Sequence, residues 1–369
     1  MRIGIDASRA VAQFPTGTEN YSRQLISRLL ALKGEDTTQF VLYFNAPPTP
    51  HLLGTRDGYQ ARVIPFPRLW THLRLSWEIA LHPPDILFVP AHVLPIIHPL
   101  RSVVTIHDLG YLHHPHAYHP TQRPYLTIST LYNARVARHI IADSESTRGD
   151  VMRRIGVSPT KITVVYPGVD EEFQSVTNQD AISQVKAKYG IEGEYLLYVG
   201  TLHPRKNLER LLEAYIKLRR ENNLGLQMVL AGKVGWLPPS LGRWLGEKGV
   251  VVTGFIPRKE LPALMSGAVV LIMPSLFEGF GFPALEAMAC GTPVIASRVG
   301  SLPEVVGEAG VLVDPLMVEN IAQGIARVVR DENLRAYMRE KGLARARTFT
   351  WERAARLVLS ILLKVGKEA

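Results

Sequence analysis

One cysteine, Cys290, occurs in 369 residues, which excludes an internal disulfide framework and any metal site built on several cysteines. No run approaches the roughly 18 uncharged apolar residues of a membrane-spanning helix. The N-terminus, MRIGIDASRA, is broken by Arg2 and Asp6 and lacks the apolar core of a signal peptide, so a cytoplasmic location is expected. There is no G-x-G-x-x-G, which counts against a nicotinamide cofactor, and no D-x-D triplet. Acidic residues are the scarcer charge, 33 against 42 Lys+Arg, for a net +9. The excess is spread: 17 basic and 12 acidic residues up to residue 170, then 25 and 21. With no lysine-rich arm, nucleic acid is not the expected partner. A phosphorylated small molecule or an anionic membrane surface accounts for the excess equally well.

What is present is an ordinary globular composition, 46% hydrophobic and 20% charged, long enough for two domains. Short Val/Ile-rich runs recur at Arg2–Asp6, Phe40–Phe44, Ile86–Val89, Val103–Ile106, Ile140–Ala142 and Thr163–Val165. A helix is expected over Glu19–Leu32. The pattern restarts at Tyr195–Val199, Gln227–Leu230, Val250–Thr253, Val269–Met273, Pro293–Ala296 and Val311–Val313, with helical stretches such as Leu208–Arg220 between. Apolar strands that do not alternate with polar residues predict parallel sheets buried on both faces. Two series predict two doubly wound α/β domains, 1–170 and 171–349, with the linker in Pro167–Asp180. A last helix, 350–369, begins at Thr350-Trp351-Glu352 and is expected to pack across the domain junction.

The segment PSLFEGFGFPALEAMACGTPVIAS, Pro274–Ser297, follows a strand. Gly279 and Gly281 let backbone approach a ligand, Pro283 suits a first helical turn, and Gly291 suits a helix end. Strand, glycine turn and helix N-terminus together make an anion site. Glu286, alone, reads equally as dipole compensation. Glu278, ahead of the glycines, is harder to dismiss: a carboxylate beside a phosphate site suits neutral hydroxyls. Arg205-Lys206 in GTLHPRKN, otherwise a solvated basic pair, follows a strand at the end where such folds bind ligands. Pro15-Thr16-Gly17-Thr18 is a turn joining strand to helix, and His107-Asp108 follows a strand. Four histidines in HHPHAYH (His113, His114, His116, His119) match no standard zinc spacing, so no metal site is expected and an acceptor-side loop is. In RLWTHLRLSWEI, Trp70, Leu73 and Trp77 share one face near Arg68 and Arg74, a stripe that reads as core or as contact with an anionic bilayer.

E-G-F-G-F-P-A-L-E, with AMACGTPVIAS and GSLPEVV, resembles the donor-site signature of the retaining glycosyltransferases of family 4. The resemblance runs over nearly the whole chain, since TIHDLG, ADSEST, YPGVD, VGTLHPRKNL, VVTGFIP and FTWERA occur in family order. It implies the GT-B fold, two Rossmann-like domains facing a cleft, with acceptor and donor domains in that order. It is nearest to the bacterial mannosyltransferases of surface-polysaccharide assembly, which implies GDP-mannose.

By this resemblance Glu278 binds sugar hydroxyls and Glu286 the nucleotide ribose. The backbone N–H groups of Phe280, Gly281, Phe282, Ala284 and Leu285 approach the sugar and diphosphate; Pro283 has none to give. Arg205 and Lys206 neutralise the diphosphate, although relatives carry the arginine where this chain has Thr201. Gly17 and Thr18 lie over the donor phosphates, and His107 bonds the sugar near the reacting carbon. The implied activity is metal-independent, retaining hexose transfer from a nucleoside diphosphate sugar to a glycan or lipid-linked glycan, with no cofactor. Two alternatives stay open: a GT-B-type sugar-nucleotide epimerase, which needs no acceptor, and a sugar-nucleotide-binding protein without catalysis, which neither transfers nor hydrolyses the donor.

Overall fold

The computed structural model describes residues 1–12, 17–32, 38–48, 58–91, 93–222, 225–235 and 239–368. They form two compact units. The first comprises Met1–Leu112, His119–Gly168 and Thr350–Ala369, and the second His113–Tyr118 and Val169–Phe349.

The first unit holds a sheet of seven parallel strands: β1 (Arg2–Asp6), β2 (Gln39–Phe44), β3 (Tyr59–Val63), β4 (Ile86–Val89), β5 (Ser102–Ile106), β6 (His139–Ala142) and β7 (Ile162–Val164). Their spatial order is β3-β2-β1-β4-β5-β6-β7. Ile3, Ile5, Leu87, Phe88, Val103 and Val104 are wholly buried, as strands covered on both faces require. Strand β3 is absent from the sequence-based expectation. YQARV sits at the sheet edge with Gln60, Ala61 and Val63 exposed, so it never acquired the apolar run that marks a central strand.

The last helix, Trp351–Lys367, is part of the first unit. The Thr350 hydroxyl accepts from the Arg353 N–H at 3.2 Å, capping the helix start. Trp351 meets Tyr21 edge-on at 5.7 Å, and Arg28 pairs with Glu352 at 3.0 Å, which docks the helix on Gly17–Ala31. Ala354, Val358, Ile361 and Leu362 form a buried apolar stripe on it, whereas Leu357 points outward.

The second unit repeats the plan with six parallel strands: β8 (Tyr195–Val199), β9 (Gln227–Ala231), β10 (Val250–Gly254), β11 (Val270–Met273), β12 (Val294–Ser297) and β13 (Val311–Val313). Their order is β10-β9-β8-β11-β12-β13. Both sheets reverse direction of strand addition beside their first strand, and the loops at the carboxyl ends of the strands there are where such folds hold ligands. In the second unit those loops are 200–207, after β8, and 274–281, after β11.

Candidate functional site

Glu278 is buried in the turn after β11, and three side chains donate to its carboxylate. Lys206 Nζ lies 2.5 Å from Oε1, Ser275 Oγ 2.5 Å from the same oxygen, and an Arg205 guanidinium nitrogen 3.1 Å from Oε2. The same Arg205 nitrogen donates to the Phe277 carbonyl, so it ties the turn's backbone as well as its acid. Arg205 and Lys206 come from the short 3-10 turn Pro204–Lys206. That turn ends at Asn207, a non-glycine residue in the left-handed region at φ 58°. The Asn207 amide donates to Pro274 O at 3.0 Å and to Pro315 O at 2.7 Å. One buried side chain thus fixes the spacing of the two loops that carry the charges.

A third loop clamps the turn from below. The Ser301 N–H and hydroxyl both donate to the Glu278 carbonyl, at 3.1 and 3.0 Å. Gly300 is needed beside it: at φ 58°, a Cβ there would fall 2.5 Å from that carbonyl oxygen. Gly281, at φ 102°, opens the helix Phe282–Ala289, and a Cβ on it would press within 2.7 Å of Leu302.

Electrostatics separates the two acids. Burial alone would raise the Glu278 pKa, but the adjacent Lys206 and Arg205 charges and the Lys206 and Ser275 hydrogen bonds overrule it and hold the carboxyl at about 2. Glu278 is therefore an ionised acceptor of hydrogen bonds throughout the neutral range and carries no proton to give. Glu286, buried one turn into the helix, goes the other way. Burial pushes it up to about 7; Arg258 pulls it down, and the charges of Asp170 and Glu172 add to the rise. Arg258 serves all three carboxylates, donating to Asp170, Glu172 and, at 3.3 Å, Glu286, with its guanidinium 4.7 Å over the Phe173 ring. One cation among three acids leaves Glu286 poised to hold or lose a proton near neutrality.

The helix N-terminus adds a constraint. The Ala284 and Leu285 N–H groups both donate to Gly281 O, at 3.1 and 3.3 Å, so a phosphate arriving there would share them with that carbonyl. The position expected to carry an arginine, Thr201, instead has its carbonyl bonded by the Tyr198 hydroxyl at 3.1 Å. Arg205, four residues on, is the guanidinium that reaches the carboxylate.

Of the histidine-rich segment, His113–Tyr118 groups with the second unit and His119 with the first. The His113 ring stacks on Phe277 at 4.4 Å, and His114 Nε2 lies 3.0 Å from Leu276 O. Two histidines thus cover the back of the turn that bears Glu278. Burial lowers the His114 pKa, which suits a neutral ring. Among the described residues no group of three or more His, Cys, Asp or Glu is arranged to hold a metal ion.

In the first unit, His107 follows β5. Its Nδ1 is 2.5 Å from Asp143 Oδ2 and its Nε2 3.0 Å from Pro90 O, while Tyr21 meets the ring edge-on at 4.8 Å. The Pro90 carbonyl can only accept, so Nε2 donates to it. Nδ1 shares a proton with Asp143, whose own pKa burial raises, an arrangement that favours positive charge on the ring. Burial opposes that charge, but Asp143 outweighs it and the His107 pKa is raised. Asp143, in ADSEST, is a partner that motif order does not reveal; its signal in the sequence is an acid at the end of a buried strand. Gly17 and Thr18 begin the helix Gly17–Ala31 and are exposed, whereas Pro15 and Thr16 lie outside the described residues. The stripe in RLWTHLRLSWEI divides. Trp70 is buried with its Nε1–H on Ile64 O at 2.8 Å, while Leu73 and Trp77 face solvent.

Comparison with known proteins agrees with this architecture. Residues 181–345 match the family model of glycosyl transferases group 1, and residues 15–173 match that of glycosyltransferase family 4. O-antigen chain mannosyltransferase B of Escherichia coli is 31% identical over 361 residues, 91% of this chain and 93% of that one. The fold is similar to that of sucrose-phosphate synthase from Thermosynechococcus elongatus, with a TM-score of 0.76, 21% identity and 99% of each chain covered. It is also similar to Anabaena HepE in complex with UDP-glucose, with a TM-score of 0.74, 18% identity, and 98% of this chain and 99% of that one covered. Two Rossmann-order units of this kind are the GT-B fold of glycosyltransferases. The chain belongs to glycosyltransferase family 4.

Proposed function

We propose that the chain transfers a hexose, mannose from GDP-mannose, with retention of configuration to a hydroxyl of a glycan or lipid-linked glycan. The observation that carries the reading is the turn in which buried, ionised Glu278 is flanked by Lys206 and Arg205. A carboxylate suits sugar hydroxyls, two cations suit a departing diphosphate, and both are preset by Asn207 and Ser301 before a substrate arrives. The mannosyltransferase relative in Escherichia coli supports the choice of sugar.

In this reading the acceptor oxygen bonds to the anomeric carbon as the bond to the phosphate oxygen breaks. The diphosphate leaves with the electron pair and takes the acceptor's proton. Glu278 orients the sugar and stabilises positive charge developing on the ring; Lys206 and Arg205 stabilise the leaving group. The test is transfer from GDP-mannose to a lipid-linked glycan, with the anomeric configuration of the product read by NMR. A product of inverted configuration, or binding without transfer to any acceptor, would overturn the reading.

Two further results are expected. Since side-chain cations serve the diphosphate, EDTA should leave the transfer rate unchanged; loss with EDTA and recovery with Mg²⁺ would show a metal in that role instead. If ionised Glu286 holds the ribose hydroxyls, donor affinity falls as pH drops through about 7. The limit is about tenfold per pH unit when only the ionised form binds. Calorimetric titration of GDP-mannose between pH 5.5 and 8.5 should show this slope in the native chain and a flat profile in Glu286→Gln.

A further inference from the structure

Two segments, YPGVD (166–170) and VVTGFIP (251–257), have no part in the reaction proposed above, yet the residues at their ends meet beside Glu286. Asp170 and Glu172 lie in the turn 170–173, which the Phe173 N–H closes on the Asp170 carbonyl at 3.0 Å. Just before it, the Val169 N–H donates to Phe349 O at 3.0 Å and fixes where the turn begins. Phe173 is buried and offers its ring to the Arg258 guanidinium at 4.7 Å. The same guanidinium donates to Asp170, to Glu172 and, at 3.3 Å, to Glu286. Asp170 and Glu286 are buried, whereas Glu172 is exposed.

The backbone of Arg258 is fixed independently of these acids. It opens the 3-10 turn Arg258–Glu260, in which the Glu260 N–H donates to Pro257 O at 2.9 Å. Lys188 holds the Glu260 carboxylate at 2.8 and 2.9 Å, and the Tyr189 hydroxyl donates to it at 2.7 Å. One loop thus delivers the cation, the helix Phe282–Ala289 delivers Glu286, and the turn 170–173 delivers two further acids. Around that helix, β11, β12 and the helix Leu261–Ser266 carry no charged side chain. The helix Leu302–Val306 contributes Glu304, and Glu332–Ala346 contributes Arg339 beside Gly291 and Arg345, which turns to the Glu304 and Val305 carbonyls. Cys290, at the helix end, has its thiol pushed up to about 12 by burial and by Glu286, so it stays neutral. The charges that act on Glu286 are those of Arg258, Asp170 and Glu172.

We propose that Arg258 is a positioning residue of the donor site, which orients Glu286 and favours its ionised form against the two acids of the turn 170–173. An ionised carboxylate accepts hydrogen bonds at both oxygens, as a pair of ribose hydroxyls requires; a protonated one has given up part of that capacity. Removing the cation also frees Asp170 and Glu172 to act on Glu286 unopposed. The role in donor binding rests on the reading of Glu286 as the ribose ligand; the hold on its charge rests on the geometry alone.

The experiment reads Glu286 directly and without donor, by ¹³C carboxyl NMR of the full chain between pH 5 and 9, with Glu286→Gln assigning its signal. In the native chain the midpoint should fall near 7. In Arg258→Met it should rise by about one pH unit or more, and GDP-mannose affinity at pH 7 should fall about tenfold and recover towards pH 9. Glu172→Gln removes an opposing acid, so there the midpoint should drop by about half a unit. Arg258→Lys keeps the charge without the planar fork and should lie between native and Arg258→Met. Opposite movements in the arginine and glutamate variants are what a merely structural contact would not produce. A midpoint unmoved by Arg258→Met, or moved in the same direction by Glu172→Gln, would overturn the proposal. Should Arg258→Met fail to fold, Arg258→Lys and Glu172→Gln carry the same decision. Midpoints that move as expected while Glu286→Gln keeps native donor affinity would count against the ribose reading and not against the hold of Arg258 on Glu286.

Discussion

Replacing Lys206 by alanine is expected to lower kcat/KM for transfer by about 10³-fold, with weaker nucleotide-sugar binding beneath that loss. Lys206 is one of two side-chain cations that hold Glu278, and removing one preorganised charge of this kind typically costs about 10²–10³ in rate. The variant will also be less stable, because Glu278 stays buried with only Arg205 and Ser275 as donors. Breaking a fully buried pair costs about 3–5 kcal/mol, and the two remaining donors should hold the loss nearer 2 kcal/mol. The double variant Lys206→Ala, Glu278→Gln separates the two effects. With the acid neutral, the thermal midpoint should recover most of the loss, whereas transfer should stay as low or fall further. A Lys206→Ala variant that folds and transfers at the native rate would remove Lys206 from the reaction.

The second large effect is expected at His107. His107→Ala should lower kcat by about 10²-fold or more, with much less change in nucleoside diphosphate affinity, because most of the expected nucleotide and phosphate contacts lie in the second unit. The geometry refines how the histidine works. Its nitrogens bond Asp143 and Pro90, which holds the ring in a fixed plane, and Asp143 raises its pKa. A sugar hydroxyl that bonds Nε2 must compete with the Pro90 carbonyl. Asp143→Asn should therefore reproduce part of the His107→Ala loss and lower the pH at which activity is lost on the alkaline side. The sign follows from Asp143 raising the His107 pKa: without it the ring sheds its proton at lower pH. Native turnover in His107→Ala would reduce the residue to a structural ring at a strand end. Equal losses in turnover and nucleotide affinity would move it to the nucleotide site or the fold.

Central strands were legible because burial on both faces demands unbroken apolar runs. Tyr195–Val199 in the second unit, and Arg2–Asp6 and Ile86–Val89 in the first, match the expectation residue for residue. Edge strand β3 was not, since YQARV meets no such demand. The turn from Pro274 to Gly281 was legible for a related reason. Glycines, a proline at the first helical turn and two acids at fixed spacing are local requirements, written in consecutive residues. The partners of those acids were only half visible. Lys206 stood out by its place after a strand, but nothing near Glu286 in the sequence points to Arg258, 28 residues before it, or to Asp170, further still.

The chain's sequence alone determined two α/β series of parallel strands, the turn from Pro274 to the helix Phe282–Ala289, and the acids and cations available there. Periodicity, turn chemistry and capping act over a few residues and leave their record in order along the chain. Tertiary structure decided which charges meet: Lys206 and Arg205 on Glu278, Arg258 among three carboxylates, and Asp143 on His107. It also decided that Trp70 is core while Trp77 faces solvent, although the sequence set both in one stripe. Those outcomes depend on distance and burial, and in a folded chain both are set by residues far away in sequence. Two acids eight positions apart, alike as letters, therefore titrate near 2 and near 7.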